Sequence, residues 1–271
     1  MMVDARVVVR GGGDLATGVI YRLHRAGFAV TVLELAQPRA LRRAVAAAQA
    51  VYSDRHEVEG ILFEKVATAS RNARHAQTVP VVVDPGADSL AQLQPTVLVD
   101  ARLKKREIDC NCNLAPLVIG LGPGFSVGEN CHAVVETQRG HTLGRVYCER
   151  GDSALTDTGV PAVVAGHGEE RVLRAPCAGA LQAQAQIGDR LPAGVAAASV
   201  NGQPVGAPFS GVLRGLMHSG LTVAANEKIG DIDPRGAREN CFRISDKALA
   251  IGGGVLEAIL RRMRQPGRAA L

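Results

Sequence analysis

Hydrophobic and polar positions divide the chain into three textures. At the start, Val7, Val8 and Val9 lie between Arg6 and Arg10, the glycine cluster Gly11-Gly12-Gly13 follows, and an apolar-periodic stretch runs from Asp14 to Arg25. β-branched runs fit strands and an i, i+3, i+4 apolar spacing marks one face of a helix, so this order predicts strand, turn and helix. Ala26-Gly27 closes that helix, and residues 28–33 read as a second strand ending in Glu34. Residues 38–51, opening on Pro38 and rich in Ala and Arg, predict another helix. Residues 57–66 alternate like a strand broken at Gly60. Residues 81–83, 96–99 and 117–121 are short unbroken apolar runs. Strands buried on both faces look like this, and they predict a parallel sheet covered by helices.

Past Gly128 the texture changes. Residues 132–137 and 143–148 alternate like two strands joined through Arg139-Gly140-His141, and from there to Pro234 the chain is glycine-rich with short strands. Ala175-Pro176-Cys177-Ala178-Gly179-Ala180-Leu181 recurs 32 residues later as Ala207-Pro208-Phe209-Ser210-Gly211-Val212-Leu213. At the same offset Gly188 matches Gly220, Leu191 matches Val223, Gly194 matches Asn226 and Val200 matches Ile232. Two such units, each unable to bury its own apolar face, should interlock into one small sandwich. A last helix begins at Ser245-Asp246-Lys247, with Gly252-Gly253-Gly254 expected to interrupt it before Met263.

The predicted fold class is therefore α/β. A Rossmann-like parallel sheet (1–128) precedes a β-rich domain (129–238) that contains the duplicated unit (172–233). A C-terminal helical segment (239–271) packs back on the sheet.

The opening turn suggests chemistry. Gly11, Gly13 and Ala16 fit G-x-G-x-x-G/A, in which the glycines allow a tight turn and close approach to a phosphate, and the last position lets helix and strand pack closely. Glu34 lies 21 residues after Gly13, where such folds place the acid that binds a ribose hydroxyl. Asp14 cuts against this, because a carboxylate suits the helix dipole but repels a pyrophosphate. The alternative is a set of glycines that serve only packing, with Asp14 as the helix cap. Ligands of open α/β sheets bind beyond the carboxyl ends of the strands, so Glu34, Asp84, Asp100 and the loop carrying Gly122 and Gly124 are expected on one rim. For Gly122 and Gly124 a plain turn leaving the strand is the competing reading.

Composition narrows the classes. No run of 18 apolar residues occurs, so no helical membrane span is expected. The chain enters its first strand without a basic-plus-apolar leader, which predicts a cytoplasmic protein. Net charge is only +5 and aromatics make up 3%, which leaves no stacking platform for nucleic acid. Arg39, Arg42 and Arg43 are expected on a solvated helix face. The six cysteines show no C-x-x-C spacing and are expected as reduced thiols. Cys110-Asn111-Cys112 and Cys131-His132 stand out, and Cys131 is the best-placed thiol for carrying a chalcogen near the Gly122 loop.

Four segments taken together carry a family resemblance: residues 9–18, 118–125, 132–141 and Gly253-Gly254-Val255-Leu256-Glu257-Ala258. They resemble the YqeB-type accessory proteins of the selenium-dependent molybdenum hydroxylase system, which keep company with XdhC-like factors. The resemblance implies a maturation factor that docks a molybdenum hydroxylase client and binds a nucleotide-like ligand, with the dinucleotide form of molybdenum cofactor as the candidate. It supplies no catalytic residue, and whether a substrate is turned over stays open. The repeat separately resembles the barrel-sandwich hybrid fold of biotinyl and lipoyl carriers. The hairpin at Asn201-Gly202-Gln203, however, has no lysine to modify, and none lies between Val172 and Ala225. The competing functions are an NAD(P)-dependent oxidoreductase and a non-catalytic interaction protein with an unliganded Rossmann core. A homo-oligomer is compatible with all three.

Overall fold

The computed structural model describes residues 5–68, 78–104, 107–157, 159–160 and 163–264. The first body contains β1 (Arg6–Arg10), α1 (Asp14–Arg25), β2 (Ala29–Glu34), the one-turn α2 (Ala50–Ser53), β3 (Arg55–Val58), β4 (Ile61–Val66), β5 (Thr78–Val83) and α3 (Leu90–Leu93). It continues through β6 (Val97–Asp100), β7 (Leu117–Leu121), β8 (Ala133–Val135) and β9 (Val146–Tyr147). These strands form one nine-stranded sheet in the order β3-β4-β5-β2-β1-β6-β7-β8-β9. β4 through β8 run parallel, and the two edge strands β3 and β9 run antiparallel to their neighbours. The order is that of a doubly wound sheet, and the winding direction reverses between β1 and β6. Val7, Val8 and Val9 are buried because residues on both pleat faces are covered.

The second body begins with β10 (Val172–Arg174), β11 (Gly179–Ala183), β12 (Arg190–Leu191) and β13 (Ala196–Val200). β14 (Gln203–Gly206), β15 (Gly211–Leu216), β16 (Thr222–Val223) and β17 (Lys228–Asp233) follow. Two four-stranded sheets result, β10-β17-β15-β12 and β14-β13-β11-β16. Moving every strand of the first copy by 32 residues turns one sheet's order into the other's: β10 becomes β14, β11 becomes β15, β12 becomes β16 and β13 becomes β17. Leu181, Val200, Leu213, Leu216, Ile229 and Ile232 fill the layer between the sheets, so neither copy is buried without the other.

Several expectations need correction. β8 and β9 do not open the β-rich domain; they extend the first sheet, β8 lying parallel to β7, so the boundary at 128/129 falls inside that sheet. Their alternation reads as a hairpin of a separate domain only because an edge pair of a parallel sheet has the same period. The triple glycine does not interrupt the C-terminal helix, α4 (Asp246–Met263), which is capped by the Ser245 hydroxyl accepting from the Ala248 amide. A Cβ at Gly18 would overlap the Ala248 backbone, and one at Gly252 would meet the Gly18 carbonyl oxygen. Glycine costs a helix about 1 kcal/mol relative to alanine, and here the cost is offset by the close approach of α4 to α1. Residues 265–271 of the expected C-terminal segment lie outside the described residues.

Residues 38–51 do not form one helix. Only short 3-10 turns (Arg43–Val45, Ala47–Gln49) and α2 appear, because this stretch straps the two bodies together. The Ala48 amide donates to the Gly12 carbonyl at 2.8 Å and the Ala47 amide to the Thr17 hydroxyl at 2.9 Å. On the other side the Leu41 carbonyl accepts from the Leu216 amide at 2.8 Å, and Arg43 donates to the Leu216 carbonyl at 2.7 Å. Arg42 and Arg43 are thus joints between the bodies and not part of a solvated face, the buried Arg42 donating to the Asn240 and Arg243 carbonyls; Arg39 is exposed as expected but pairs with Glu227 of the second body. Among the described residues no helix is long and apolar enough to cross a membrane.

Candidate functional site: a cleft between the two bodies

Carboxyl ends of β1, β2, β5 and β6 face the second body across a cleft of about 650 Å³. Arg10 from β1 with Gly11 just after it, Glu34 from β2, Asp84 after β5 and Arg102 after β6 form the floor. Arg171, Arg214, Lys228 and Asp231 form the facing wall, and the strap residues Arg39 to Arg42 close one side. The crevice therefore stands at the reversal of strand order, where open α/β sheets bind ligands.

The three glycines of the opening turn divide their labour. Gly11 adopts φ +93°, and its amide donates to the Leu33 carbonyl at 2.8 Å. Only glycine takes that conformation cheaply. A Cβ at Gly12 would come to 2.9 Å from the Ala48 amide nitrogen, so Gly12 is there for packing. Gly13 is different. It precedes the first turn of α1 in extended conformation, it lines the cleft, and a Cβ there would meet nothing within 4 Å. Ala16, also on the cleft, is fully buried where α1 meets the sheet.

Glu34 lines the cleft but both its oxygens are engaged. Oε2 accepts from the Gly12 amide at 2.6 Å and Oε1 from the Leu35 amide at 2.7 Å. Burial raises its pKa, and the two backbone hydrogen bonds oppose that rise. Its first task is thus to clamp the glycine turn. Asp14 is not the helix cap, since that place belongs to Gly13. It occupies the first turn and pairs with Arg42 at 3.3 Å.

Of the other rim residues, Asp84 accepts from the Asp88 and Ser89 amides and holds the turn after β5. Asp100 is fully buried beneath the cleft and is bonded to Arg102 through both oxygens. Arg102 and Arg10 also reach Asp109, and the Arg102 hydrogen bonds hold the Asp109 carboxyl well below the usual range. The loop carrying Gly122 and Gly124 is not part of the cleft wall. It turns back so that Phe125 fills the space a side chain at Gly120 would need, and Gly122 sits against Thr137.

Cys131 is likewise away from the cleft. It is fully buried in the apolar layer with Cys110, Val118, Phe125 and Val134. Burial, with smaller contributions from Cys112 and Cys110, pushes its thiol up to about 12. A thiol held there stays protonated at neutral pH and is a poor nucleophile, so Cys131 enters the account as a packing residue. Among the described residues no cluster of His, Cys, Asp or Glu could hold a metal ion.

Sequence reasoning missed Arg42, Arg171, Arg214 and Lys228. Arg42 belonged to a cluster read as solvated, and the other three sit about 130 to 190 residues away from it, Arg171 in a 3-10 turn and Arg214 and Lys228 in strands, where no local motif marks them.

The fold and crevice define an α/β protein with a cleft at the switch point of a doubly wound sheet. No family model matches the chain. The chain is 44% identical over 266 residues to the "Uncharacterized protein YqeB" of Escherichia coli (strain K12), an alignment that covers 97% of this chain and 49% of that protein. The chain thus spans about half the length of the curated relative it matches. That relative carries the YqeB name to which the sequence motifs pointed. A solved structure of an aspartoacylase family protein from Mesorhizobium loti aligns over 84% of each chain at 9% identity with a TM-score of 0.25, a likeness that carries no argument.

Proposed function

We propose that the chain binds a nucleotide-like ligand in the cleft between its two bodies and acts as an accessory factor for a selenium-dependent molybdenum hydroxylase. The observation that carries the binding half is Gly13, which leaves open space at the switch point while its neighbour Gly12 is packed shut. Eight basic side chains against five acidic ones among the described lining residues favour an anionic ligand. Leu33, Leu35, Leu41 and Leu103 supply apolar surface for a base or a pterin. The client half rests on the resemblance of the four sequence segments, and the dinucleotide form of molybdenum cofactor is the ligand that joins the two halves.

A thermal-shift panel of NAD, NADP, FAD and cytidine nucleotides tests the binding half. A ligand present at a hundred times its Kd adds about 2.7 kcal/mol, which for a chain of this size raises Tm by roughly 5–10 °C. A shift by cytidine nucleotides supports the cofactor reading. A shift by NAD or NADP alone, with hydride transfer detected, moves the assignment to the oxidoreductase. No shift by any of them counts against ligand binding. For the client half, deletion of the gene should lower hydroxylase activity in cells without lowering the amount of hydroxylase protein.

A further inference from the structure

In a doubly wound fold the phosphates are expected on the glycine turn, at the N-terminus of α1. Here the two amides of the turn that precedes the helix are taken. The Gly11 amide is bonded to the Leu33 carbonyl and the Gly12 amide to the Glu34 carboxylate, and Asp14 adds a second carboxylate in the first turn of the helix. A pyrophosphate placed there would meet two negative side chains and two amides already engaged.

Across the cleft the situation is reversed. Arg42, Arg171, Arg214 and Lys228 converge on Asp231, whose carboxylate lies 3.7 Å from Arg171 and 3.8 Å from Arg214. Asp14 pairs with Arg42. Asp233, 3.9 Å from Arg214, is held by two hydrogen bonds from the Arg235 guanidinium. Five cations therefore face three carboxylates; Arg42, Arg171, Asp231 and Asp233 are all less than 9% exposed, while Lys228 and Arg235 reach solvent. Of these, Arg42, Arg171, Arg214 and Lys228 line the cleft against only Asp14 and Asp231, and that surplus on the wall favours an anion in the cleft. Arg42 Nε and Arg214 Nε are buried and lack a hydrogen-bond partner among the described residues.

We infer that the ligand's phosphates are held by Arg42, Arg171, Arg214 and Lys228, mostly on the second body, and that the glycine turn at Gly13 receives the uncharged part of the ligand. This inference rests on the proposed cleft binding and assigns its polarity. The second body is then half of the binding site, because the turn before β10, β15 and β17 bring Arg171, Arg214 and Lys228 to the cleft. The ligand class is a phosphate ester or diphosphate whose opposite end is flat and apolar.

Calorimetry on the full chain with two probes, inorganic pyrophosphate and CDP, tests it. In the wild type both should bind, pyrophosphate more weakly and with affinity that falls as NaCl is raised. Arg214→Gln should weaken both by about tenfold or more, the loss of one charge-assisted contact. Lys228→Gln, at an exposed position less able to disturb the fold, should weaken both by several-fold. Gly13→Val should weaken CDP and leave pyrophosphate unchanged. Pyrophosphate lost in Gly13→Val but kept in folded Arg214→Gln would place the phosphates on α1 and overturn the inference while leaving cleft binding intact. Millimolar pyrophosphate giving no binding to the wild type would also overturn it. Pyrophosphate bound through Arg214, with CDP and the other nucleotides bound no better, would keep the anion site and refute the nucleotide reading instead.

Discussion

Gly12 and Gly13 are adjacent, yet they should respond to substitution in opposite ways. At Gly13 the backbone is extended (φ −64°, ψ 179°), which any residue adopts, and a new Cβ meets nothing within 4 Å. The cost of Gly13→Val to the fold is then only the poorer N-cap, about 0.5–1 kcal/mol, or a fall in Tm of roughly 1–4 °C. The three added carbons project into the cleft, where the ligand must pass, so affinity for a bound nucleotide should fall about tenfold or more, equivalent to about 1.4 kcal/mol per decade. Gly12 has no such room. A Cβ would stand 2.9 Å from the Ala48 nitrogen and 3.3 Å from Glu34 Oε2, pressing on the strap and on the clamp at once. Gly12→Ala should therefore destabilise by about 1–3 kcal/mol, the usual cost of overpacking. Circular dichroism melts and calorimetry with the best-binding nucleotide separate the two effects. A folded Gly13→Val protein with unchanged affinity would show that no ligand approaches the turn, and a Gly12→Ala protein as stable as wild type would refute the division of labour.

Removing the clamp by Glu34→Gln leaves one amide without its charged acceptor and should lower stability by about 1–3 kcal/mol at neutral pH, read from the melting temperature. Gly18→Val should cost at least about 3 kcal/mol, because α4 cannot stay in contact with α1; limited proteolysis should then cut within α4 first. Burial raises the Asp233 carboxyl, but hydrogen bonds from Arg235 outweigh this and leave it below 3.8. Its stabilisation is thus complete above that value and lost as pH falls through the depressed folded pKa, so the gap between wild type and Asp233→Asn should be widest near pH 7 and shrink below about pH 4. Iodoacetamide at pH 7.5 should label the exposed Cys148 and spare Cys131 until the protein unfolds, and rapid labelling of native Cys131 would contradict its packing role.

Reading the chain alone was most successful where the cause is local. The run Val7-Val8-Val9, the glycine turn and the cap at Ser245 each act within a few residues, and the 32-residue repeat shows in the sequence because each strand of one sheet has its counterpart in the other. Where tertiary contacts override propensity, the reading failed. Residues 38–51 have the composition of a helix, but Arg42 and Arg43 gain more by donating to carbonyls of the second body than by lining a solvated face. Gly252 and Gly254 read as breaks because the reason for them, the backbones of α1 and Gly144, lies more than 100 residues away. The cation wall was invisible for a similar reason: Arg171, Arg214 and Lys228 share a site only through the folding of the duplicated unit.

Amide hydrogen exchange with and without saturating CDP tests most directly whether both bodies hold one ligand. A ligand held by both bodies should slow exchange in two places together: residues 13–17 at the start of α1, and residues 214–216 and 228–231 on β15 and β17. Protection confined to the first body, protection around 122–128, or no change anywhere would contradict it.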